Sequence, residues 1–532
     1  MASDRTVREK NAGRKDGRCT RSLGGGYGSG SVLRRPAKSV VQSVVLIHGL
    51  SLHPRRKLCS PSIAFLFADF EQSISDTSTR AVRKVPCQCL WLWFLNNMPE
   101  ITYDALVIGG GPGGSAAASF LARAGKRVLV LEKEHFPRFH IGESLLPYNR
   151  KLFEEMGVLS TLEAAGFLKK LGAQFHLGNA SKSLKLVFSN GCYTRETAAF
   201  QVERATFDDL LLKHARKCGA EVREGWTVTN FATEDGRVTL EARDERGVKN
   251  KFSAAFLIDA SGRGNFTGNQ QGLRIIHPNL KKLAIFGHFE NVVLDEGTPR
   301  GDTVIIRLEN KWFWIIPLSE TRISVGCVMD QQEFSTARQS PAVVFERVWR
   351  SSAAMRQRME KARLLNTIQT TTDFSYYNKR LVGPRLLRVG DAAGFMDPIF
   401  SAGVYLAMYS GKFAAQAVMN SLKAGDDGER RFRGYEKQIF RAMRFYWEMV
   451  EGYYTQPFME LFMEPRPKFN LPSAMVAILA GELEGGWGIE WRRKLFFLLI
   501  RLQARWPLVP RISFADNGAE STTKATQQSS PA

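Results

Sequence analysis

The stretch YDALVIGGGPGGSAAASFLARAGKRVLVLEKE, residues 103–134, constrains this chain more than any other. ALVI reads as a buried strand, GGGPGG as a tight turn, SAAASFLARAG as a helix of small residues, and RVLVLE as a second strand. Gly109, Gly111 and Gly114 form GxGxxG, and Glu132 closes the second strand. Such glycines make the turn, let the backbone approach a pyrophosphate and let helix pack on strand, while the acid accepts from a ribose hydroxyl. The helix N-terminus favours the phosphate charge. Strand, turn, helix, strand and acid in this order imply an α/β fold that binds a dinucleotide.

The chain is long enough for this unit plus an inserted sheet and a helical appendage: 532 residues, 44% of them hydrophobic. Its net charge of +22 is unevenly placed, with 16 Lys and Arg against 6 Asp and Glu in residues 1–97. That segment also holds the low-complexity run SLGGGYGSGS and four of the seven cysteines, and shows no sustained period. We expect residues 1–97 to be a disordered or non-native extension, with the working protein starting near Met98; a basic arm touching nucleic acid or anionic lipid is the alternative. No nucleic-acid partner is otherwise expected. Cys192, Cys218 and Cys327 lack metal-ligand spacing, so no metal is expected and a reducing cytoplasm fits. No run of about 18 apolar residues suggests a membrane span.

Downstream, LIDASGR (257–263) places DxSG after a strand, and LLRVGDAAG (386–394) places Gly390 and Asp391 before small residues. This succession resembles the way flavoprotein hydroxylases close a site on FAD. It implies that Asp391 bonds the ribityl chain and that Arg204, in QVERATFDDLL, lies near the pyrophosphate.

Two further motifs narrow the resemblance. KWFWIIPL contains WxWxIP as Trp312, Trp314, Ile316 and Pro317, and GFMDPIFSAG contains FxxPxxSxG as Phe395, Pro398, Ser401 and Gly403. Residues at i and i+2 share one strand face, so both indoles line one surface. Together these motifs resemble the FAD-dependent halogenases across residues 98 to about 510. The expected fold is a Rossmann-like FAD-binding domain of the flavoprotein monooxygenase type over 98–430, with a mixed or antiparallel sheet inserted at about 271–372. A C-terminal helical region is expected over 431–515, with a disordered tail at 516–532.

The resemblance implies a tunnel wall at Trp312, Trp314, Ile316 and Pro317. It implies a chloride or bromide site at Ser401, Ala402 and Gly403, where a helix beginning at Ser401 would present free amides. GFLKKLGAQFHLG fits the family pattern GFxxKxGA with Lys170, not Lys169, as the essential lysine. Read as one strand, it puts Leu171, Ala173, Phe175 and Leu177 on the apolar face and Lys170, Gly172, Gln174 and His176 on the other.

The chemistry implied uses FADH2 from a separate NAD(P)H-dependent flavin reductase. A flavin hydroperoxide oxidises halide to hypohalous acid, and Lys170 delivers the halogen to an electron-rich aromatic. Phe400 stands where tryptophan-type members carry a glutamate, and FPRFHIGESLLP, with Arg138, Glu143 and Ser144, resembles the phenol and pyrrole branch. Tyr405 stands where that branch often has histidine. A phenol or pyrrole, free or carrier-tethered, is the substrate expected. The competing readings are a flavin monooxygenase, an alkene reductase of the geranylgeranyl reductase type, or a non-catalytic flavin-binding protein.

Overall fold

The computed structural model describes residues 102–514, apart from 235, 466–467 and 484–485. All of these lie in the unit Met98–Ala532. The expectations for residues 1–97 and 516–532 fall outside the described residues.

The first sheet contains β1 (Thr102–Ile108), β2 (Val128–Leu131), β7 (Glu221–Arg223), β8 (Thr227–Glu234), β9 (Arg237–Arg243), β10 (Lys249–Asp259), β17 (Val382–Gly383) and β18 (Leu386–Arg388). Its order is β17-β18-β10-β1-β2-β7, with β8 and β9 folded back on β10. The central strands run parallel and are buried on both faces, which is why they read as unbroken apolar runs. Helix α1 (Pro112–Arg123) makes the crossover from β1 to β2. Register pairs Ile108 with both Asp259 and Leu131, so Gly109, Glu132 and Ala260 meet at the carboxyl edge, where open α/β sheets bind ligands.

The second sheet contains β4 (Gly172–Leu177), β5 (Ser183–Val187), β11 (Arg274–Glu290), β12 (Thr303–Arg307), β13 (Trp312–Pro317), β14 (Ile323–Asp330), β15 (Arg363–Leu364), β16 (Gln369–Asn378) and β19 (Gly394–Phe395). It is mixed: β12 pairs parallel with β4, and the other pairs are antiparallel. The sheet extends beyond the expected insert, because β4, β5 and β19 come from flanking sequence. β13 is buried throughout, and its alternation divides two cores. Trp312, Trp314 and Ile316 face the main core, while Phe313 and Ile315 face a second one closed by residues 341–359.

The lysine segment departs from the single strand expected. Leu168–Lys170 (β3) pairs with Ala199–Gln201 (β6) in a two-stranded ribbon, and the chain enters the large sheet only at Gly172. Alternation still separates the lysines: Lys169 is exposed and Lys170 is 2% exposed. Beyond the break the polar face is not a solvent face, since Gln174 is fully buried.

The C-terminal part is helical: α3 (Gly403–Ala424), α4 (Glu429–Tyr453), α5 (Gln456–Phe462), α6 (Leu471–Ala480) and α7 (Gly486–Arg505). Helix α3 packs on α1 through glycine. A Cβ on Gly411 would stand 2.5 Å from the Gly113 carbonyl oxygen, so only glycine permits this approach. The two helix N-termini are thereby held beside one cavity.

Candidate active site

A cavity of about 540 Å³ runs from the α1 turn to the α3 turn and is closed on one side by β13. Its size and apolar lining suit a bound cofactor.

At one end lies the glycine turn. Gly109 has φ +96°, and a Cβ there would run into the Ala260 carbonyl; a Cβ on Gly114 would run into the Gly109 carbonyl. Gly111 is different: a Cβ would meet only Arg138 Nη2 at 3.7 Å, so its backbone faces the cavity. Gly111 also caps α1 without a side-chain partner for the first amides. Glu132, 5% exposed, accepts from the Gly110 amide at 2.6 Å and the Glu134 amide at 2.9 Å, which aims its carboxylate at the turn. This cradle fits a dinucleotide pyrophosphate and ribose.

Arg204 opens helix α2 (Arg204–Lys217) and lines the cavity, but its fork is engaged elsewhere. Nε and Nη2 hold Asp208 at 2.8 and 2.9 Å, and Nη1 donates to the Ile141 and Gly142 carbonyls at 2.9 and 3.2 Å. Burial alone would raise the Asp208 carboxyl, yet the charge and hydrogen bonds of Arg204 hold it below its ordinary range. Arg204 therefore anchors the 138–143 loop. The guanidinium facing the Gly111 turn is that of Arg138, itself tied to Asp208 at 3.0 Å. His140 on this loop is pushed down to about 3 by burial and by Arg204.

Asp391 sits in the short turn Gly390–Ala392 at the cavity wall. Burial raises its carboxyl, opposed by the charges of Arg263 and Arg204. Asp259 does not reach the cavity; it ties its own turn together, accepting from Ser261 N, Thr267 N and Thr267 Oγ1.

At the other end, α3 begins at Gly403, two residues later than expected. Ser401 adopts φ +56° and closes the turn Pro398–Phe400, and Ala402 is the N-cap. The amides without intrahelical partners by helix geometry are those of Ala402 to Tyr405. Ser401, Ala402 and Gly403 all line the cavity, and a Cβ on Gly403 would meet nothing within 4 Å. The geometry leaves room for an anion at a positive helix end.

The wall between the two ends is aromatic. Trp312 and Trp314 stand with ring centroids 5.9 Å apart, and with Ile316 they face the cavity. Pro317 ends the strand outside the cavity lining. Each indole is pinned: Trp312 Nε1 donates to Tyr454 Oη at 2.9 Å, and Trp314 Nε1 to Ser324 Oγ at 3.1 Å.

Lys170 lines a second, small cavity of about 20 Å³. Thr303, Ile305, Phe400 and Ser401 line both cavities and so form the partition between them. Lys170 Nζ donates to Ser144 Oγ at 2.8 Å and to the Leu145 carbonyl at 3.2 Å. Burial lowers its ammonium from 10.5 to about 7, with the charge of Asp302 opposing. The sequence did not single out Thr303, Gln201, Tyr454 or Gly326; it gave Ser144 only as a branch marker.

Fold and cavity define a flavoprotein of the FAD-binding class, and the FAD binding domain family matches residues 102–441. A 1H-pyrrole-2-carbonyl-[peptidyl-carrier protein] chlorinase of Pseudomonas fluorescens is 30% identical over 417 residues, 74% of this chain and 92% of that enzyme. A tryptophan 2-halogenase of Chondromyces crocatus is 32% identical over 66% of this chain and 65% of its own length. Among solved structures, the flavin-dependent brominase Bmp2 superposes with a TM-score of 0.68 at 27% identity, covering 76% of this chain and 99% of that one. The chain belongs to the FAD-dependent halogenase superfamily.

Proposed function

We propose that the protein is an FADH2-dependent halogenase that uses O2 and chloride or bromide to halogenate an electron-rich phenol or pyrrole, free or carrier-tethered. The reading places it in the cytoplasm beside a separate NAD(P)H-dependent flavin reductase.

FAD would be held by the Gly109–Gly114 turn, Glu132, Arg138 and Asp391, with Arg204 supporting the loop. Bound there in reduced form, it supplies with O2 and halide an electrophilic halogen equivalent. The α3 amides hold the halide, and Trp312, Trp314 and Ile316 keep organic substrate out of the flavin cavity. Lys170 takes the halogen through the partition and presents it to the aromatic ring, by hydrogen bonding or as a haloamine. A haloamine requires a neutral amine, which burial favours.

The observation that carries this reading is the buried Lys170, set behind a wall shared with the flavin cavity. A hydroxylase or alkene reductase has no use for such a lysine. Phe400 in both cavity linings, where a tryptophan-type enzyme would carry glutamate, supports a phenol or pyrrole.

The test is incubation with FAD, a flavin reductase, NADH, O2 and bromide against panels of phenols, pyrroles and tryptophan. Halogenated phenol or pyrrole is expected. Hydroxylated product, or flavin binding without either product, would overturn the assignment.

A further inference from the structure

Lys170 does not line the flavin-side cavity, yet Ser144, one of the two groups it donates to, does. Ser144 Oγ accepts its Nζ–H at 2.8 Å, and Ser144 Oγ lies 2.8 Å from Thr303 Oγ1. Both hydroxyl residues line the large cavity, and Thr303 lines the small one as well. They are 5% and 3% exposed, so this is a buried polar chain through the partition.

Gln201 fixes the direction in which that chain can run. Its Nε2 donates to the Gly301 carbonyl at 3.0 Å and to Thr303 Oγ1 at 2.9 Å. A carbonyl only accepts, so the amide NH2 is the group facing Thr303, and Thr303 must accept there. Its one hydroxyl hydrogen is left for Ser144 or for the cavity.

We propose that Ser144 and Thr303 form a hydroxyl relay that carries the ammonium proton of Lys170 into the flavin-side cavity, leaving the lysine as a neutral amine. Uptake of halogen by the neutral amine rests on the proposed function; the proton path does not. In the starting orientation Nζ–H points to Ser144 Oγ, the Ser144 hydrogen to Thr303 Oγ1, and the Thr303 hydrogen to a water in the cavity. A shift along this line breaks one N–H bond and exchanges the two hydroxyl O–H bonds. It adds one O–H bond to the water, which becomes hydronium. No electrons change owner. Rotation of both hydroxyls then restores the starting direction.

Asp302, on the turn before β12, faces Lys170 and opposes its neutralisation. Glu143, next to Ser144, is engaged by His288 of β11 at 2.8 Å. The remaining side chains around it from β4, β5 and α6 are apolar: Ala173, Phe175, Leu186, Val476 and Leu479. Among the described residues the hydroxyl that Lys170 donates to is that of Ser144, which gives its proton an exit. Ser144 and Thr303 are positioning residues, acting through the lysine.

The experiment compares Thr303→Val, Thr303→Ser and Ser144→Ala in the full chain. Halogenated product per O2 consumed should fall about 100-fold in Thr303→Val, the scale of a lost proton-transfer group, and stay within about threefold in Thr303→Ser. Independently, cyanate carbamylation of Lys170 without flavin reads the neutral amine as a function of pH. Its midpoint should lie near neutrality and move to lower pH in Ser144→Ala, because the ammonium loses an acceptor. A normal product ratio in Thr303→Val, equal losses in Thr303→Val and Thr303→Ser, or an unmoved carbamylation midpoint in Ser144→Ala each overturns the relay. Wild-type protein that makes no halogenated product while the midpoint shifts as expected condemns the proposed function and leaves the proton path standing.

Discussion

Trp312 and Asp397 are joined through one hydroxyl: Tyr454 accepts the Trp312 indole N–H at 2.9 Å and donates to Asp397 Oδ2 at 2.7 Å. The wall and the turn that opens α3 are thereby tied to the C-terminal end of α4, which supplies Tyr454. Burial raises the Asp397 carboxyl, with the Tyr454 hydrogen bond opposing, so the carboxylate depends on that donor. Tyr454→Phe leaves a buried donor and a buried acceptor unpaired, at a cost of about 1–3 kcal/mol. Urea unfolding should show that loss; unchanged stability would mean that the chain of bonds does not hold the wall.

Gly326 stands opposite Trp314 in the β13–β14 register, and a Cβ there would overlap the indole ring. Gly326→Ala should destabilise by about 1–3 kcal/mol through overpacking and displace the wall. Denaturant midpoints and the near-UV signal of the tryptophans would report both effects. A variant as stable as the parent, with unaltered tryptophan signal, would contradict the packing described.

Gly403→Ala addresses the anion end. The added methyl meets nothing in the protein, so folding should be preserved while the approach to the α3 amides is blocked. Losing a helix-terminus interaction of about 1 kcal/mol corresponds to roughly a fivefold rise in halide KM. FAD affinity should hold within about twofold on the same scale. An unchanged halide KM would remove the amides of α3 as the halide site.

The dinucleotide half of this architecture was legible because its constraints are local. GxGxxG, the small-residue helix and Glu132 are set by neighbours in sequence, and their geometry follows from sterics. The alternation of β13 was legible for the same reason. Partners distant in sequence were not. Arg204 could not be seen to reach the Ile141 and Gly142 carbonyls, nor Trp314 to need Gly326, because loop docking decides the first and strand pairing the second. The break between β3 and β4 was hidden, since LKKLGAQFHL keeps a two-residue period across the junction between sheets. The start of α3 was misplaced because Ser401, a good N-cap by type, occupies a left-handed turn instead.

Lys170 should also be visible in stability. Its pKa falls from 10.5 in the unfolded chain to about 7 on folding. Between these values the unfolded state holds a proton that the native state lacks, so burial of the amine destabilises the fold fully below about 7 and not at all above 10.5. Lys170→Met should therefore stabilise at neutral pH by a few kcal/mol, on the order of the linkage penalty, and the gain should shrink as pH rises toward 10.5. A gain independent of pH would show that the lysine is charged when buried.

The most direct measurement compares Lys170→Ala with Lys169→Ala, following O2 uptake with reduced flavin and halogenated product in the same reaction. Lys170→Ala should bind FAD, consume O2 and lose product by about 100-fold or more, the scale of a lost positioned donor or covalent relay. Lys169 is exposed on the opposite face, and its removal should leave product per O2 unchanged. A Lys170→Ala protein that still halogenates, or a folded Lys169→Ala protein that does not, would contradict the account of this site.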